Sequence, residues 1–156
     1  MPPSANITWF QAVAACENAR KRLPSNAEWQ AAVAGTPDPG GDNHTTDCNT
    51  QTFFAAVATG SRSSCKSAQG AFDMVGNVFE WVADWVPRST ACGAAGGWSV
   101  SGTGDDQCLL GAATTGEPGA LRRGGSYANA SQSGPLTVHD SGPSDSFGNV
   151  GFRCAR

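Results

Sequence analysis

Two helix starts are written into the first 35 residues, and each takes the form of a capping box. In Thr8-Trp9-Phe10-Gln11 the Thr8 hydroxyl can accept from the third helical amide while the Gln11 side chain reaches back to the cap. The helix it opens is expected to run to about Arg20, with Trp9, Val13, Cys16 and Ala19 near one face. Ser25-Asn26-Ala27-Glu28 repeats the device. Trp29, Ala32 and Val33 follow at helical spacing, and Gly35, Pro37 and Pro39 stop the helix. Beyond that point the chain reads as loop and strand, so any core must be assembled around two short helices.

Residues 36–70 read as loop, with Phe53-Phe54 as its anchor to the core. Phe72 to Val78 is a short apolar turn. Phe79 to Trp85 then alternates, which puts Phe79, Trp81, Ala83 and Trp85 on one face of a strand and Glu80 and Asp84 on the other. Trp29, Trp81 and Trp85 are expected in the core. Residues 87–119 form a glycine-rich insert. Leu121 to Tyr127 is expected as a strand, and its Gly124-Gly125 pair lets another backbone or an aromatic ring approach closely. Val150, Phe152 and Cys154 share one face of the last strand. The result is an α+β class: two helices packed on short twisted antiparallel sheets, rich in loop, as a single domain over residues 1–156.

Charge and composition narrow the function. Charged residues make up 15% and the net charge is −3, with no lysine/arginine stripe, so no nucleic-acid partner is expected. No apolar run approaches the roughly 20 residues of a membrane span. Met1-Pro2-Pro3-Ser4 has neither the charged nor the apolar region of a signal peptide. The six cysteines include no CxxC, which argues for disulfides rather than zinc and for an oxidising compartment or a thermophile. Several pairings remain open. Cys48–Cys65 and Cys92–Cys108, each closing one loop, and Cys16–Cys154, tying the first helix to the last strand, are favoured. His44 and His139 sit in no ligand-spaced motif. Asp73, Glu80 and Asp84 are expected to bond Arg22, Arg123 or Arg153 rather than to do acid–base work.

The last third of the chain has a sharp contrast. Arg123-Gly124-Gly125-Ser126-Tyr127 and Gly151-Phe152-Arg153-Cys154-Ala155-Arg156 read as rigid ends, while residues 126–150 contain no lysine, arginine or cysteine. That middle reads as a surface the fold tolerates.

Five blocks, taken together, resemble the formylglycine-generating enzyme/sulfatase-modifying-factor family. They are Ile7-Thr8-Trp9-Phe10-Gln11-Ala12, Lys21 to Trp29, Phe72 to Trp81, Arg123-Gly124-Gly125-Ser126 and Gly151-Phe152-Arg153. The resemblance implies a C-type-lectin-like fold. It also implies a shortened or minimal version, because the family domain normally carries a segment before the first helix. Family members that oxidise a sulfatase cysteine hold copper with two cysteines shortly after RGGS. Asn129 and Gly134 stand at those places here, and neither replaces a soft thiolate. The resemblance therefore implies no enzyme. Family members also bind calcium near the GNV segment, which would put Asn77 at that position; no other cofactor is expected.

The last block is similar to the variable region of diversity-generating retroelement variable proteins. Those regions begin near RGGS, end at GFR, and are diversified at adenines of asparagine (AAY) codons. Such mutation cannot yield Lys, Glu, Gln, Trp or Met. Residues 126–150 contain none of these but Gln132, which would then be framework. The resemblance implies a ligand-binding face of Tyr127, Ala128, Asn129, Ser131, His139, Ser141, Asp145, Phe147, Gly148 and Asn149, with Tyr127, His139 and Phe147 as aromatic anchors. The implied partner is a protein or glycan on another cell or virus, and the implied location a cell surface, the secreted pool or a virion. The alternatives are a sulfatase-modifying oxidoreductase and an undiversified structural or carbohydrate-binding domain.

Overall fold

The computed structural model describes residues 1–38, 40–51, 55–86, 105 and 118–156, and the backbone at 88–89, 107–108 and 112–113. The Phe53-Phe54 anchor and the Cys92–Cys108 pairing lie outside the described residues.

Both capping boxes form. α1 is Trp9–Asn18, with Thr8 Oγ1 accepting from the Gln11 amide at 3.2 Å and Gln11 Oε1 accepting from the Thr8 amide at 2.9 Å. α2 is Asn26–Val33, where Ser25 and Glu28 make the same exchange at 3.2 and 2.8 Å. Glu28 also holds Arg22, both contacts at 2.6 Å. α2 ends before Gly35, whose φ of +79° an L side chain rarely adopts.

Among the described residues seven strands follow: β1 (Phe79–Val86), β2 (Arg88–Ser89), β3 (Gln107–Cys108), β4 (Ala112–Ala113), β5 (Gly119–Arg123), β6 (Val138–Ser141) and β7 (Val150–Phe152). Five make one sheet in the order β3-β6-β5-β1-β7, and β2 pairs with β4. The α+β class expected from the sequence holds. Within it, β1–β5 and β5–β6 are antiparallel while the outer pairs β1–β7 and β3–β6 are parallel, so the sheet is mixed.

β1 lies between β5 and β7, and this changes how its alternation is read. Residues 79–82 are buried on both faces, and Ala83, Asp84 and Trp85 are exposed. Glu80, on the face opposite Phe79 and Trp81, is buried as well. Trp85, expected in the core, is 42% exposed, beyond a register shift between Trp81 and Trp85, and stacks edge-on against Trp9 at 4.9 Å. Asp84 accepts from the Asn26 amide at 2.6 Å.

The core is split into two clusters. One joins Trp29 and Val33 of α2 to Met74, Val75, Val82 and Leu121; the other joins Ala12 and Cys16 of α1 to Leu23, Phe79, Trp81, Ala120 and Val150. Each contains a disulfide, Cys48–Cys65 in the first and Cys16–Cys154 bounding the second. Phe152 and Cys154 pack against the second cluster alongside Val150, as their shared strand face predicts.

β5 stops at Arg123 rather than reaching Tyr127, because Gly124 and Gly125 take φ of +87° and +76°. The close approach expected there is real. A Cβ on Gly124 would sit 2.6 Å from the Met74 carbonyl oxygen and 3.1 Å from the Trp29 ring.

Candidate ligand-binding face

Immediately after the two glycines the chain turns at Ser126, which is fully buried. Ser126 Oγ donates to Asn129 Oδ1 at 2.5 Å and accepts from Asn149 Nδ2 at 3.2 Å and the Ala128 amide at 3.3 Å. Its amide also donates to Asn129 Oδ1 at 3.1 Å. One framework serine thus gathers the start and the end of the segment expected to form the face. A short 3₁₀ turn follows at Ala130–Gln132, then a loop, β6, and a second loop into β7.

Main-chain bonds tie both loops to the framework. Asn6 donates its amide to the Phe147 carbonyl at 3.0 Å, Trp9 to Pro143 at 3.0 Å, and Phe79 to Asn149 at 2.8 Å. In the other direction the Tyr127 amide donates to the Asn77 carbonyl at 3.0 Å and the Ala130 amide to Thr50 at 2.9 Å. Not one of these bonds uses a side chain.

The expected face residues divide accordingly. Ala128, Ser131, Phe147 and Gly148 are exposed, Phe147 by 40%. Tyr127, Asn129, His139, Asp145 and Asn149 are half-buried. Ser141 is 7% exposed; it pairs with Ala120 inside the sheet and is not a surface residue. Tyr127, Asn129, Gly148 and Asn149 are grouped near Ser126. His139 and Phe147 meet instead over Arg122, whose guanidinium lies 4.5 Å from the Phe79 ring centre, 5.5 Å from the Phe147 ring centre, and 3.2 Å from His139 Nδ1. Asp145 caps its own turn, accepting from the Gly142 amide at 3.0 Å. Gln132, expected as framework, is exposed.

Sequence reasoning missed Arg122 and the gathering role of Ser126. Both stand in the expected Leu121–Tyr127 strand, but their partners lie up to 43 residues away (Arg122 to Phe79), so spacing carries no signal for them.

The loop before β6 is built on a buried charge pattern. Arg123 donates to the carbonyls of Leu136 at 3.2 Å and Thr137 at 2.8 Å and to Gln30, and stacks 4.7 Å over Trp29. These carbonyls stand where a bond to Asp73, Glu80 or Asp84 was expected, and the buried carboxylate that acts on Arg123 is Asp105. Burial lowers the pKa of Arg123 to about 10, with the charge of Asp105 pulling the other way. Asp105 accepts from the Leu136 amide at 2.7 Å. Desolvation raises its pKa to about 6, against the lowering effect of the Leu136 amide. A Cβ on Gly134 would run into this carboxylate.

The acidic groups near β1 do bond as expected in one case. Arg153 makes a bidentate pair with Glu80, Nε at 2.6 Å and Nη2 at 2.5 Å, and the Trp29 indole donates to Glu80 Oε2 at 2.7 Å. Asp73 accepts from the Gly60 amide at 2.7 Å, and burial raises its pKa.

Calcium is the metal expected here, at Asn77, and copper is the metal of the family's enzymes. Asn77 Oδ1 accepts from Asn49 Nδ2 at 3.1 Å and from the Val57 amide at 2.9 Å, while its Nδ2 donates to the Val57 carbonyl at 3.3 Å. Both lone-pair directions are taken by N–H groups, so Asn77 does not fit a calcium ligand; it fits a clasp on the 49–57 loop. Copper needs soft ligands. Asn129 Oδ1 is engaged by Ser126, Gly134 has neither a side chain nor room for one, and the four cysteines with described side chains are paired in disulfides. The residues beside RGGS do not fit copper.

The sequence profile of the sulfatase-modifying factor enzyme 1-like domain matches residues 1–156. The chain is 31% identical over 172 residues to the formylglycine-generating enzyme of Streptomyces coelicolor, covering 98% of this chain and 52% of that enzyme. It is 37% identical over 87 residues to the serine/threonine-protein kinase Pkn1 of Chlamydia trachomatis, covering 53% of this chain and 14% of the kinase. The chain thus spans about half of that formylglycine-generating enzyme and a small part of the kinase. In structure it is similar to the Major Tropism Determinant P3c variant, with a TM-score of 0.66 at 23% identity, covering 94% of this chain and 36% of the other. It is also similar to Treponema denticola variable protein 1, with a TM-score of 0.64 at 21% identity, covering 97% and 69%. These likenesses bear out the lectin-like α+β class.

Proposed function

The chain belongs to the sulfatase-modifying factor enzyme 1-like domain family, and we propose that it uses this fold as a ligand-binding display domain whose residues 127–149 form a diversified face. The observation that carries the reading is the way the segment is held. Its loops are tied to Asn6, Trp9, Thr50, Asn77 and Phe79 by peptide groups alone. Exchanging the side chain at Ala128, Ser131, Phe147 or Gly148 leaves each of those bonds in place. A surface that must accept many sequences needs that independence.

Composition supports the same reading. Every expected face residue falls within the set reachable from an AAY codon, and the segment lacks Lys, Glu, Trp and Met. Tyr127, His139 and Phe147 supply aromatic anchors, the residue type that dominates binding hot spots. The small serines, glycines and alanine between them supply adaptable contacts. The structural likeness to the tropism determinant and to the Treponema variable protein supports display on this fold. The proposed partner is a protein or glycan on another cell or virus. The neighbouring DNA tests the diversification: a reverse transcriptase gene and a near-copy of the last coding block, differing at adenines, should lie close by, and their absence from the intact locus would sink this reading.

The second reading is a sulfatase-modifying oxidoreductase, favoured by the identity to the Streptomyces enzyme. Against it stands the lack of a thiolate pair beside RGGS, with Asn129 and Gly134 in place of the cysteines that hold copper. Incubation with copper(I) and a cysteine-containing sulfatase peptide separates the two. Turnover to formylglycine would end the display reading.

A further inference from the structure

The failure of Asn77 as a calcium ligand directs attention to the turn that precedes it. A cleft of about 310 Å³ is lined by Pro3, Phe72, Asp73, Glu80, Phe152 and Arg153. Oxygen donors converge on one cation there, and that cation is a side chain. Both Glu80 carboxylate oxygens and the Phe72 carbonyl, at 3.0 Å, accept from the Arg153 guanidinium. Asp73 lies in the same cleft, 5% exposed. Its Oδ2 is taken by Gly60, and its Oδ1 is buried with no hydrogen-bond partner. We propose that Arg153 is the resident cation of this cleft: its guanidinium stands where the carboxylates of Asp73 and Glu80 would otherwise draw in a divalent ion, and the cleft needs no divalent metal.

The chemistry of the donors supports this. Two buried carboxylates in one cleft need positive charge, and a guanidinium offers planar N–H groups that match a carboxylate in bidentate fashion. A calcium ion would need six to eight oxygens, and here the Glu80 oxygens and the Phe72 carbonyl are already committed to N–H donors. The cation is also covalently fixed. Arg153 follows β7 directly and precedes Cys154, which is bonded to Cys16 of α1. Unlike a bound ion, it cannot be diluted or chelated away.

Thermal unfolding tests the proposal. The wild-type melting temperature should be the same in EDTA and in millimolar CaCl2; a rise with calcium or a fall with EDTA would overturn the claim. Arg153→Met leaves the two carboxylates without their countercharge and should lower the melting temperature by roughly 10 °C, since breaking a buried pair is strongly destabilising. Millimolar CaCl2 should then restore roughly 5 °C through binding to the vacated donors. A folded Arg153→Met protein indifferent to calcium would refute the substitution of one cation for the other. If that variant is unfolded in both conditions, Glu80→Gln added to it should restore folding by removing the lone charge; continued failure to fold would also overturn the proposal.

Discussion

Gly124 lies so close to Trp29 that a Cβ on it would come within 3.1 Å of the indole ring, with the Met74 carbonyl oxygen at 2.6 Å on another side. Its φ of +87° adds a second restriction. Gly124→Ala should therefore destabilise the domain by about 3 kcal/mol, combining overpacking with the left-handed backbone penalty. Urea unfolding checks this. A loss below about 1 kcal/mol would mean that α2 and the Met74 turn can shift apart freely.

The proposed face should behave in the opposite way. Phe147→Ala and Ser131→Ala, singly or together, should change stability by no more than about 0.5 kcal/mol each, because both side chains are exposed and the loop is held by main-chain bonds. Ser126→Ala should cost about 2 kcal/mol, because it strands the amides of Asn149 and Ala128 and one acceptance by Asn129. Denaturant curves on the three variants decide. If Phe147→Ala proves as damaging as Ser126→Ala, the segment is part of the core.

Asp105 sets a pH dependence. Its folded pKa of about 6 lies above the ordinary value of 3.8, so the folded state holds the proton more tightly than the unfolded state. Its contribution to stability is full below 3.8 and is lost as pH rises towards about 6. Glu28 acts in reverse, since its pKa of about 2 makes its contribution present above 4.5 and lost as pH falls below that. Subtracting the melting profile of Asp105→Asn from that of the wild type isolates the first effect. The difference should decline across that window, and a flat difference would refute the assignment.

The two disulfides among the described residues differ in loop length. Cys16–Cys154 spans 138 residues and Cys48–Cys65 spans 17. On the chain-entropy account, replacing the first pair by serines should destabilise by about 5 kcal/mol and the second by about 3 kcal/mol. Equal losses would point to strain or residual structure rather than loop closure.

What could be read from the sequence was local. Thr8 with Gln11 and Ser25 with Glu28 are three residues apart, so their caps were visible, and the Gly124-Gly125 pair announced a close approach. The Glu80–Arg153 pair was among the bonds expected, but which arginine Glu80 would choose, and the Trp29 indole beside it, were not legible, because those groups are 73 and 51 residues away. Trp85 was misplaced because alternation does not reveal where a strand leaves the shelter of its neighbours. Of the candidate face, the exposed Ala128, Ser131, Phe147 and Gly148 were legible in the contrast between rigid ends and a tolerant middle. Ser141 was not, since its burial follows from pairing with Ala120 in the sheet.

The main-chain anchors carry a rule about which amino acids each loop position will accept. At 147 and 149 the main-chain bond to the framework uses the carbonyl, and at 143 proline already supplies one. Every genetically encoded residue keeps that oxygen, imino acids included. At 127 and 130 the framework takes the N–H, which proline lacks. Grammar, then, is uneven along the segment: its late anchors at 143, 147 and 149 admit proline, and its early ones at 127 and 130 exclude it.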